Sequence, residues 1–158
     1  MHTLIANYHD PQHCEDIVKL LNEYACEPMG GGKPLSDFTL KHLTDSLATV
    51  PSAFSILCYA DNQAVGLANC FEGFSTFRCQ PLINIHDIMV SKNYRGRGVS
   101  QQLLSAIESV AQKRGCCKIT LEVLEGNTVA QQAYQKFGFA QYELDPAAGK
   151  ALFWEKPL

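Results

Sequence analysis

A chain of 158 residues is long enough for one hydrophobic core and short for two catalytic domains of ordinary size. Because 46% of its residues are hydrophobic and 18% are charged, its composition is that of a globular protein and excludes a disordered one. The formal net charge of −3 gives no general attraction to polyanions, so neither nucleic acid nor a membrane is expected as a partner.

The first residues and the cysteines bear on the cellular compartment. Residues 1–5 lack the basic stretch and the long apolar core of an export signal, and no apolar run reaches the length of a membrane span. The seven cysteines are an odd number, most lie in apolar patterns, and none forms a Cys-x-x-Cys pair. We therefore expect reduced thiols, no metal site and a cytoplasmic location.

Hydrophobic periodicity and turn residues predict elements in the order βααβββαβαββ, which indicates a mixed sheet covered by helices. No linker or repeat interrupts the chain, so we expect a single domain over residues 1–158. The predicted strands are 3–8, 54–59, 64–71, 82–90, 118–124, 139–144 and 150–156. The predicted helices are 10–24, 38–47, 99–114 (ended by Gly115) and 127–137 (ended by Gly138), with a glycine-rich loop at 28–34.

The most informative segment joins the strand that ends at residue 90 to the long helix. Gly96 and Gly98 let the backbone approach a ligand, and the free N–H groups at the helix start carry the positive end of its dipole. Such a turn binds phosphate. A dinucleotide fingerprint is excluded because Gln101 stands where its third glycine is required. Residues 30–33 are not a P-loop, because Pro34 replaces the Ser or Thr that must follow.

Two motifs resemble one known family. Arg95-x-x-Gly98-x-Ser100, placed after a strand and at a helix start, resembles the coenzyme A pyrophosphate loop of the GNAT superfamily of acetyl-CoA-dependent N-acetyltransferases, in which the last position is usually Gly or Ala. One helix and one strand later, an Asn-x-x-Ala-x-x-x-Tyr pattern ending at Tyr134 resembles that family's second signature. The resemblance covers about residues 52–156, and the earlier residues match only in their strand–helix–helix layout.

The resemblance implies an α/β (α+β) GNAT fold, in which a single mixed central β-sheet is splayed between strands 4 and 5 and flanked by about four helices. It also implies acetyl-CoA as cosubstrate, with no metal. Main-chain and side-chain groups of the two motifs and of the preceding strand would hold the coenzyme. The predicted coenzyme-binding residues are Ile88, Met89, Val90, Arg95, Gly96, Arg97, Gly98, Val99, Ser100, Asn127 and Ala130. The hydroxyl of Tyr134 would donate a proton to the departing thiolate, as a general acid.

An acceptor amine also requires a group that removes a proton, because an alkylammonium with an ordinary pKa of ~10.4 is almost entirely protonated at neutral pH. Glu72, His86 and Asp87 are the candidates. Strand alternation predicts His86 on the side of Ile88 and Val90, with Asp87 on the opposite side. Histidine ordinarily titrates near neutral pH, so His86 is the predicted catalytic base. A carboxylate often occupies its position in polyamine-acetylating relatives, which leaves Glu72, Asp87 and water open.

Two further segments point to the acceptor. In the family, the first two helices and their connection form the acceptor wall, and residues 71–77 resemble an aromatic segment of diamine and related small-amine acetyltransferases. The predicted substrate-binding residues are Glu72, Asp87, Tyr24 and Met29. The predicted function is transfer of an acetyl group from acetyl-CoA to a primary amine of a small molecule, by direct attack on the thioester. The alternatives are a protein lysine or N-terminal acetyltransferase, and a non-catalytic acyl-CoA-binding sensor. A homodimer is expected only because relatives often form one.

Overall fold

The computed structural model describes residues 1–145, 147 and 149–158. Within these residues the chain forms five strands and four α-helices. The strands are β1 (His2–Ile5), β2 (Ala53–Ala60), β3 (Gln63–Ser75), β4 (Gln80–Val90) and β5 (Ile119–Leu121). The helices are α1 (Pro11–Ala25), α2 (Asp37–Ala48), α3 (Val99–Lys113) and α4 (Thr128–Phe137). Short 3-10 turns lie at Pro28–Gly30 and Lys92–Tyr94.

The four predicted helices are confirmed, and their ends follow from local chemistry. Asp10, Ser36 and Asn127 precede α1, α2 and α4, and each side chain accepts hydrogen bonds from free backbone N–H groups of the first turn. Gly138 ends α4 with φ of 106°, in the left-handed region that a side chain disfavours. These boundaries could be predicted because a cap acts over only a few residues.

The strands form one sheet in the order β1-β2-β3-β4-β5. All neighbours are antiparallel except β4 and β5, which are parallel. β5 pairs only with residues 83–85 of β4, so the two strands part before β4 reaches Val90. The predicted mixed sheet, splayed between strands 4 and 5, is confirmed.

A β-bulge in β4 changes the direction of its side chains. The register with β3 passes from Asn69–Asp87 to Cys70–Ile85, which leaves His86 without a partner. Across the bulge, the side chains that face α3 change from odd to even positions: Ile83, Ile85, Ile88 and Val90. His86 therefore lies on the same face as Asp87. The predicted placement of these two residues on opposite faces was wrong, because alternation fails where a strand contains an extra residue.

Each face of the sheet carries an apolar core. Leu103, Leu104 and Ile107 of α3 are fully buried on one face, and Ile17 and Leu20 of α1 on the other. Burying such a side chain contributes about 1.5–3 kcal/mol. The two cores fix both helices against the sheet, and Glu23 near the end of α1 accepts hydrogen bonds from Ser91 and Lys92, just after β4.

Gly66 allows α3 to start directly against β3. A Cβ at this position would lie 2.7 Å from Cγ1 of Val99, the first residue of α3, and 3.1 Å from Cδ1 of Leu103. The first distance is shorter than real Cβ contacts and the second is tight, so a larger residue would force Val99 to move and Leu103 to adjust where α3 packs on the sheet.

The predicted strands 139–144 and 150–156 are absent from the described residues, and β5 is shorter than the predicted 118–124. The predicted turn between the two strands includes Pro146 and Ala148, which lie outside the described residues. The three residues of β5 offer a further strand too few hydrogen bonds to offset the entropy of ordering it. Apolar side chains of this segment are exposed: Tyr142, Leu144, Leu152, Phe153 and Trp154.

In the part of the chain that the structure describes, no helix combines the length and apolar character needed to cross a bilayer.

Candidate active site

The segment between β4 and α3 presents a row of backbone donors. Gly96 and Gly98 have φ of 73° and 83°, and Gly98 stands immediately before the first residue of α3. Nothing lies within 4 Å of a Cβ built on either glycine. Among residues 1–145, no protein hydrogen bond uses the N–H groups of residues 96–101. We call residues 95–100 the glycine loop; it offers an anion several N–H groups and the positive end of a helix dipole.

The arginines of the glycine loop contact the protein itself. Arg95 donates from Nε to the carbonyl oxygen of Val90 over 3.1 Å and forms an ion pair with Glu27 beyond the end of α1. The guanidinium carbon of Arg97 lies 5.2 Å from the centre of the Tyr94 ring, a cation–π contact. Direct contact between these side chains and the coenzyme stays a prediction, and the unpaired N–H groups are the donors that the loop presents.

Ile88, Met89 and Val90 line the gap in the sheet. One edge of this stretch pairs with Ala68, Leu67 and Gly66 of β3, and β5 has already diverged from the other edge. The backbone groups of that second edge are available to an extended ligand, as in strand addition. The predicted pantetheine contacts are compatible with this geometry and untested.

Tyr134 lies on α4, beside the beginning of α3. Gln101 donates to the carbonyl oxygen of Ala133 over 3.2 Å, which joins the two helices. Burial raises the pKa of Tyr134 to about 12, and the charge of nearby Tyr24 adds to the effect. Asn127, predicted to touch the coenzyme arm, uses Oδ1 to accept from the backbone N–H of Ala130.

A cavity of about 360 Å³ lies between the first two helices and the sheet. We call it the helix–sheet cavity. Its walls are mostly apolar, and its polar groups come chiefly from β3 and β4. The lining residues are Leu21, Tyr24, Ala25, Gly30, Leu35, Leu43, Leu47, Asn69, Phe71, His86 and Asp87. An apolar cavity with a few convergent polar groups is typical of a small-molecule site.

Three of the predicted acceptor-site residues meet in this cavity: Tyr24, His86 and Asp87. Burial raises the pKa of Tyr24, and the charge of Asp87 raises it further. The ring of His86 stands edge-on to Phe71, with 5.6 Å between centroids. Gly30 closes the wall at a position where a Cβ would lie 2.0 Å from the carbonyl oxygen of Tyr24, so only glycine fits.

The remaining two predicted substrate-binding residues lie elsewhere. The Met29 side chain is exposed and does not line the cavity, although its carbonyl oxygen accepts from the Tyr24 hydroxyl over 3.2 Å. Glu72 points to the α3 face, where its carboxylate is 3.0 Å from Arg114. The alternating faces of β3 explain this separation. The structure therefore does not bring Glu72 together with His86 and Asp87.

Sequence reasoning missed Asn69 and Ser55. Both are buried, and Asn69 donates from Nδ2 to Oδ2 of Asp87 over 3.0 Å. The sequence does show these two polar residues inside otherwise apolar strands. Because buried polar groups normally need a specific hydrogen-bond partner, this pattern could have indicated them.

The end of α1 is joined to the glycine loop and its entry. Glu23 accepts from the Ser91 hydroxyl over 2.8 Å and from the backbone N–H of Lys92 over 3.3 Å. The ion pair between Glu27 and Arg95 adds a second connection. The wall of the helix–sheet cavity and the glycine loop are thus held in contact by side chains.

The family model described as the acetyltransferase (GNAT) family matches residues 17–139. Because that match covers most of the chain, this chain belongs to the GNAT acetyltransferase family, and family membership implies binding of coenzyme A.

Individual proteins show more distant similarity. The aminoglycoside N(6')-acetyltransferase type 1 of Salmonella typhimurium strain LT2 is 27% identical over 92 residues, which cover 56% of this chain and 63% of that protein. A crystal structure of a probable acetyltransferase has a TM-score of 0.83 at 19% identity and covers 99% of both chains. The aminoglycoside acetyltransferase meta-AAC0020 from an uncultured soil metagenomic sample, in complex with sisomicin, has a TM-score of 0.79 at 14% identity, covering 99% of this chain and 95% of that one. At these identities the structural likeness shows the fold.

Proposed function

We propose that this protein transfers the acetyl group of acetyl-CoA to a primary amine of a small, multiply cationic molecule. One observation carries the proposal: β4 contributes His86 and Asp87 to the helix–sheet cavity and leads directly into the glycine loop, and side chains near the end of α1 join the two regions. An anion-binding turn and a cavity containing a carboxylate would bring a phosphorylated donor and a cationic acceptor to the same opening.

The coenzyme side is made of main-chain donors. Unpaired N–H groups of residues 96–101 bind the pyrophosphate, and the free edge of β4 at Ile88 and Met89 holds the pantetheine arm. A backbone N–H at this edge stabilises the negative charge that develops on the thioester oxygen during attack. Open space above Gly98 lets the phosphates approach the chain.

The acceptor side supplies charge and proton transfer. In this proposal, Asp87 binds the ammonium group, and His86 beside it takes the proton that the amine must lose before it attacks the thioester carbon. Tyr134 donates its proton to the sulfur as the carbon–sulfur bond breaks. A phenol with its ordinary pKa near 10 is already protonated at neutral pH, and burial raises the pKa of Tyr134 further, to about 12. The donor form is therefore present when it is needed.

The acceptor class follows from the cavity and from the named relatives. The cavity has apolar walls and a carboxylate, which suits an amine attached to a ring or an alkyl chain. Relatives that are named aminoglycoside acetyltransferases favour an amino sugar with several ammonium groups. The resemblance of residues 71–77 to the aromatic segment of diamine acetyltransferases favours a linear polyamine instead. Amino sugars and polyamines both carry the several positive charges that the proposal requires.

An amine panel tests the proposal. Release of free thiol from acetyl-CoA would be measured with sisomicin, spermidine, free lysine and a lysine-containing peptide, together with calorimetric titration of acetyl-CoA. We expect saturable turnover with sisomicin or spermidine and much weaker turnover with the peptide. A preference for the peptide would support a protein acetyltransferase. Binding of acetyl-CoA without turnover of any amine would support a sensor and overturn the proposal.

A further inference from the structure

Four polar side chains form a continuous line of hydrogen bonds from the first strand's connection to the helix–sheet cavity. The hydroxyl of Tyr8 lies 2.9 Å from Oγ of Ser55. Ser55 donates to Oδ1 of Asn69 over 2.7 Å, and Asn69 donates from Nδ2 to Oδ2 of Asp87 over 3.0 Å. Ser55 is 0% exposed and Asn69 is 3% exposed. These two side chains are therefore out of contact with water. The line runs across β2, β3 and β4 on the α1 face of the sheet and ends at the Asp87 carboxylate, which lines the cavity.

The direction of every hydrogen bond in this line is determined. An ionised carboxylate only accepts, so Asn69 must turn its NH2 group toward Asp87 and its carbonyl oxygen toward Ser55. The single hydroxyl proton of Ser55 is then used toward Asn69, which makes the Tyr8 hydroxyl the donor to Ser55. A flipped Asn69 amide would set its carbonyl oxygen against the Asp87 carboxylate, so that two acceptors would face each other.

The bulge in β4 and this line act on the same residue. The extra residue at position 86 turns Asp87 toward the cavity, and the register then sets it directly opposite Asn69. Buried polar groups cost free energy unless they are paired, and apolar side chains could fill the same strand positions. The fully paired line, ending at an accessible carboxylate, points to a role in the site.

We infer that Asn69 is a positioning residue for Asp87, held in its productive orientation by Ser55 and Tyr8. It occupies Oδ2 and leaves Oδ1 to receive the ammonium group of the acceptor. The inference rests on the proposed function for the identity of the bound group. The line of hydrogen bonds itself can be tested without any acceptor.

The first test uses the side-chain amide resonances of Asn69 in nitrogen-15-labelled protein, assigned by their loss in Asn69→Leu. We expect these resonances to shift in Ser55→Ala and in Asp87→Asn. The matched control is Tyr59→Phe, which removes a buried phenol hydroxyl that donates to Asp16 over 2.7 Å, in a separate pair. The control should leave them unchanged. The inference would be overturned if the Asn69 resonances shifted in neither Ser55→Ala nor Asp87→Asn. If Asn69→Leu does not fold, through-bond correlation of the amide with the Asn69 backbone in doubly labelled protein assigns the resonances instead.

The second test separates positioning from general damage to the fold. With sisomicin as acceptor, KM should rise about tenfold in Asn69→Leu, the equivalent of one lost hydrogen bond to a charged group. A smaller rise is expected in Ser55→Ala, with the Kd for acetyl-CoA unchanged in both. Equal loss of coenzyme affinity, or the same rise in Tyr59→Phe, would show a structural role only. A wild-type protein that acetylates no amine would refute the proposed function, while the amide resonances would still decide whether the line exists.

Discussion

The glycine loop is made almost entirely of main chain, whereas the helix–sheet cavity is made almost entirely of side chains. The loop depends on two glycines with positive φ and on the start of one helix, all within a few residues. The cavity draws its lining from two helices, their connection and two strands. A main-chain site recognises what all donors of the reaction share, the phosphates. A side-chain site can change its acceptor without change to the donor.

This difference predicts which property each substitution should alter. Substitutions in the glycine loop should alter the affinity for the coenzyme, and substitutions in the cavity should alter the kinetics with the acceptor. Substitution of Tyr134 should alter the binding of neither substrate.

The largest effect is expected from Tyr134→Phe. In the proposed mechanism the hydroxyl acts only as the carbon–sulfur bond breaks, so kcat should fall about 10² to 10⁴-fold with little change in the Kd for acetyl-CoA. The ring and its packing against Phe139 remain, so the fold should persist. Thiol-release kinetics and calorimetry on one preparation measure both quantities, with Tyr142→Phe, an exposed tyrosine, as control. Full activity would remove the acid role, and lost coenzyme binding would make Tyr134 a binding residue.

The wild-type protein and Tyr134→Phe also test the protonation state of Tyr134. Because burial raises its pKa to about 12, the phenol keeps its proton through pH 10, where an exposed tyrosine is half ionised. The tyrosinate absorbance that Tyr134→Phe removes should therefore appear near pH 12. Circular dichroism would confirm folding at each pH. Removal of a component that titrates near pH 10 in folded protein would contradict the buried environment.

On the acceptor side, His86→Gln and Asp87→Asn should differ in kind. His86→Gln should lower kcat about 10²-fold at neutral pH, as loss of a base does, with KM for sisomicin nearly unchanged. Asp87→Asn should instead raise that KM, because it removes the charge that is proposed to bind the ammonium. Steady-state kinetics at saturating acetyl-CoA would separate them. Loss of kcat in Asp87→Asn alone would make Asp87 the base.

For the coenzyme side, Gly98→Val can be compared with Gly115→Val at the other end of α3. Both glycines have positive φ, 83° and 66°, and open space around a built Cβ, so the backbone strain should be similar, about 1–2 kcal/mol. Only Gly98→Val should lower acetyl-CoA affinity, by about tenfold or more, since in the proposed site a side chain there would block the approach of the phosphates. Calorimetric titration and thermal unfolding measure the two effects. If Gly98→Val and Gly115→Val bound acetyl-CoA with equal affinity, the phosphates would have to bind elsewhere.

The smallest effect is expected where the two sides touch. Glu27→Gln removes the ion pair with Arg95, which is partly exposed, so the free energy of unfolding should change by less than about 1 kcal/mol. Acetyl-CoA affinity should change less than about threefold, and added salt should reduce the difference further. Chemical denaturation and calorimetry at two salt concentrations check this. A large loss of coenzyme affinity would mean that the two sides are not independent.

The contrast between the sides also explains what the sequence could reveal. The four helices, the glycine turn and the splayed sheet were predicted, because caps, positive-φ glycines and apolar periodicity act over short distances. The position of His86 was not, because a bulge depends on the register with a neighbouring strand. Asn69 was missed for the same reason: its partners Ser55 and Asp87 lie on two other strands. The prediction of strands at 139–144 and 150–156 was wrong, because the alternation of apolar and polar residues does not show whether the edge of the sheet is long enough to pair with a further strand.

That last segment contains the chain's single tryptophan, Trp154, with 82% of its surface exposed. Intrinsic tryptophan fluorescence from this protein therefore reports on the segment after α4, and Trp154 is not among the residues that line the helix–sheet cavity. The indole should emit at the long wavelengths of a water-exposed group and be quenched freely by iodide in the native protein. A blue shift at rising protein concentration would instead signal self-association through this segment.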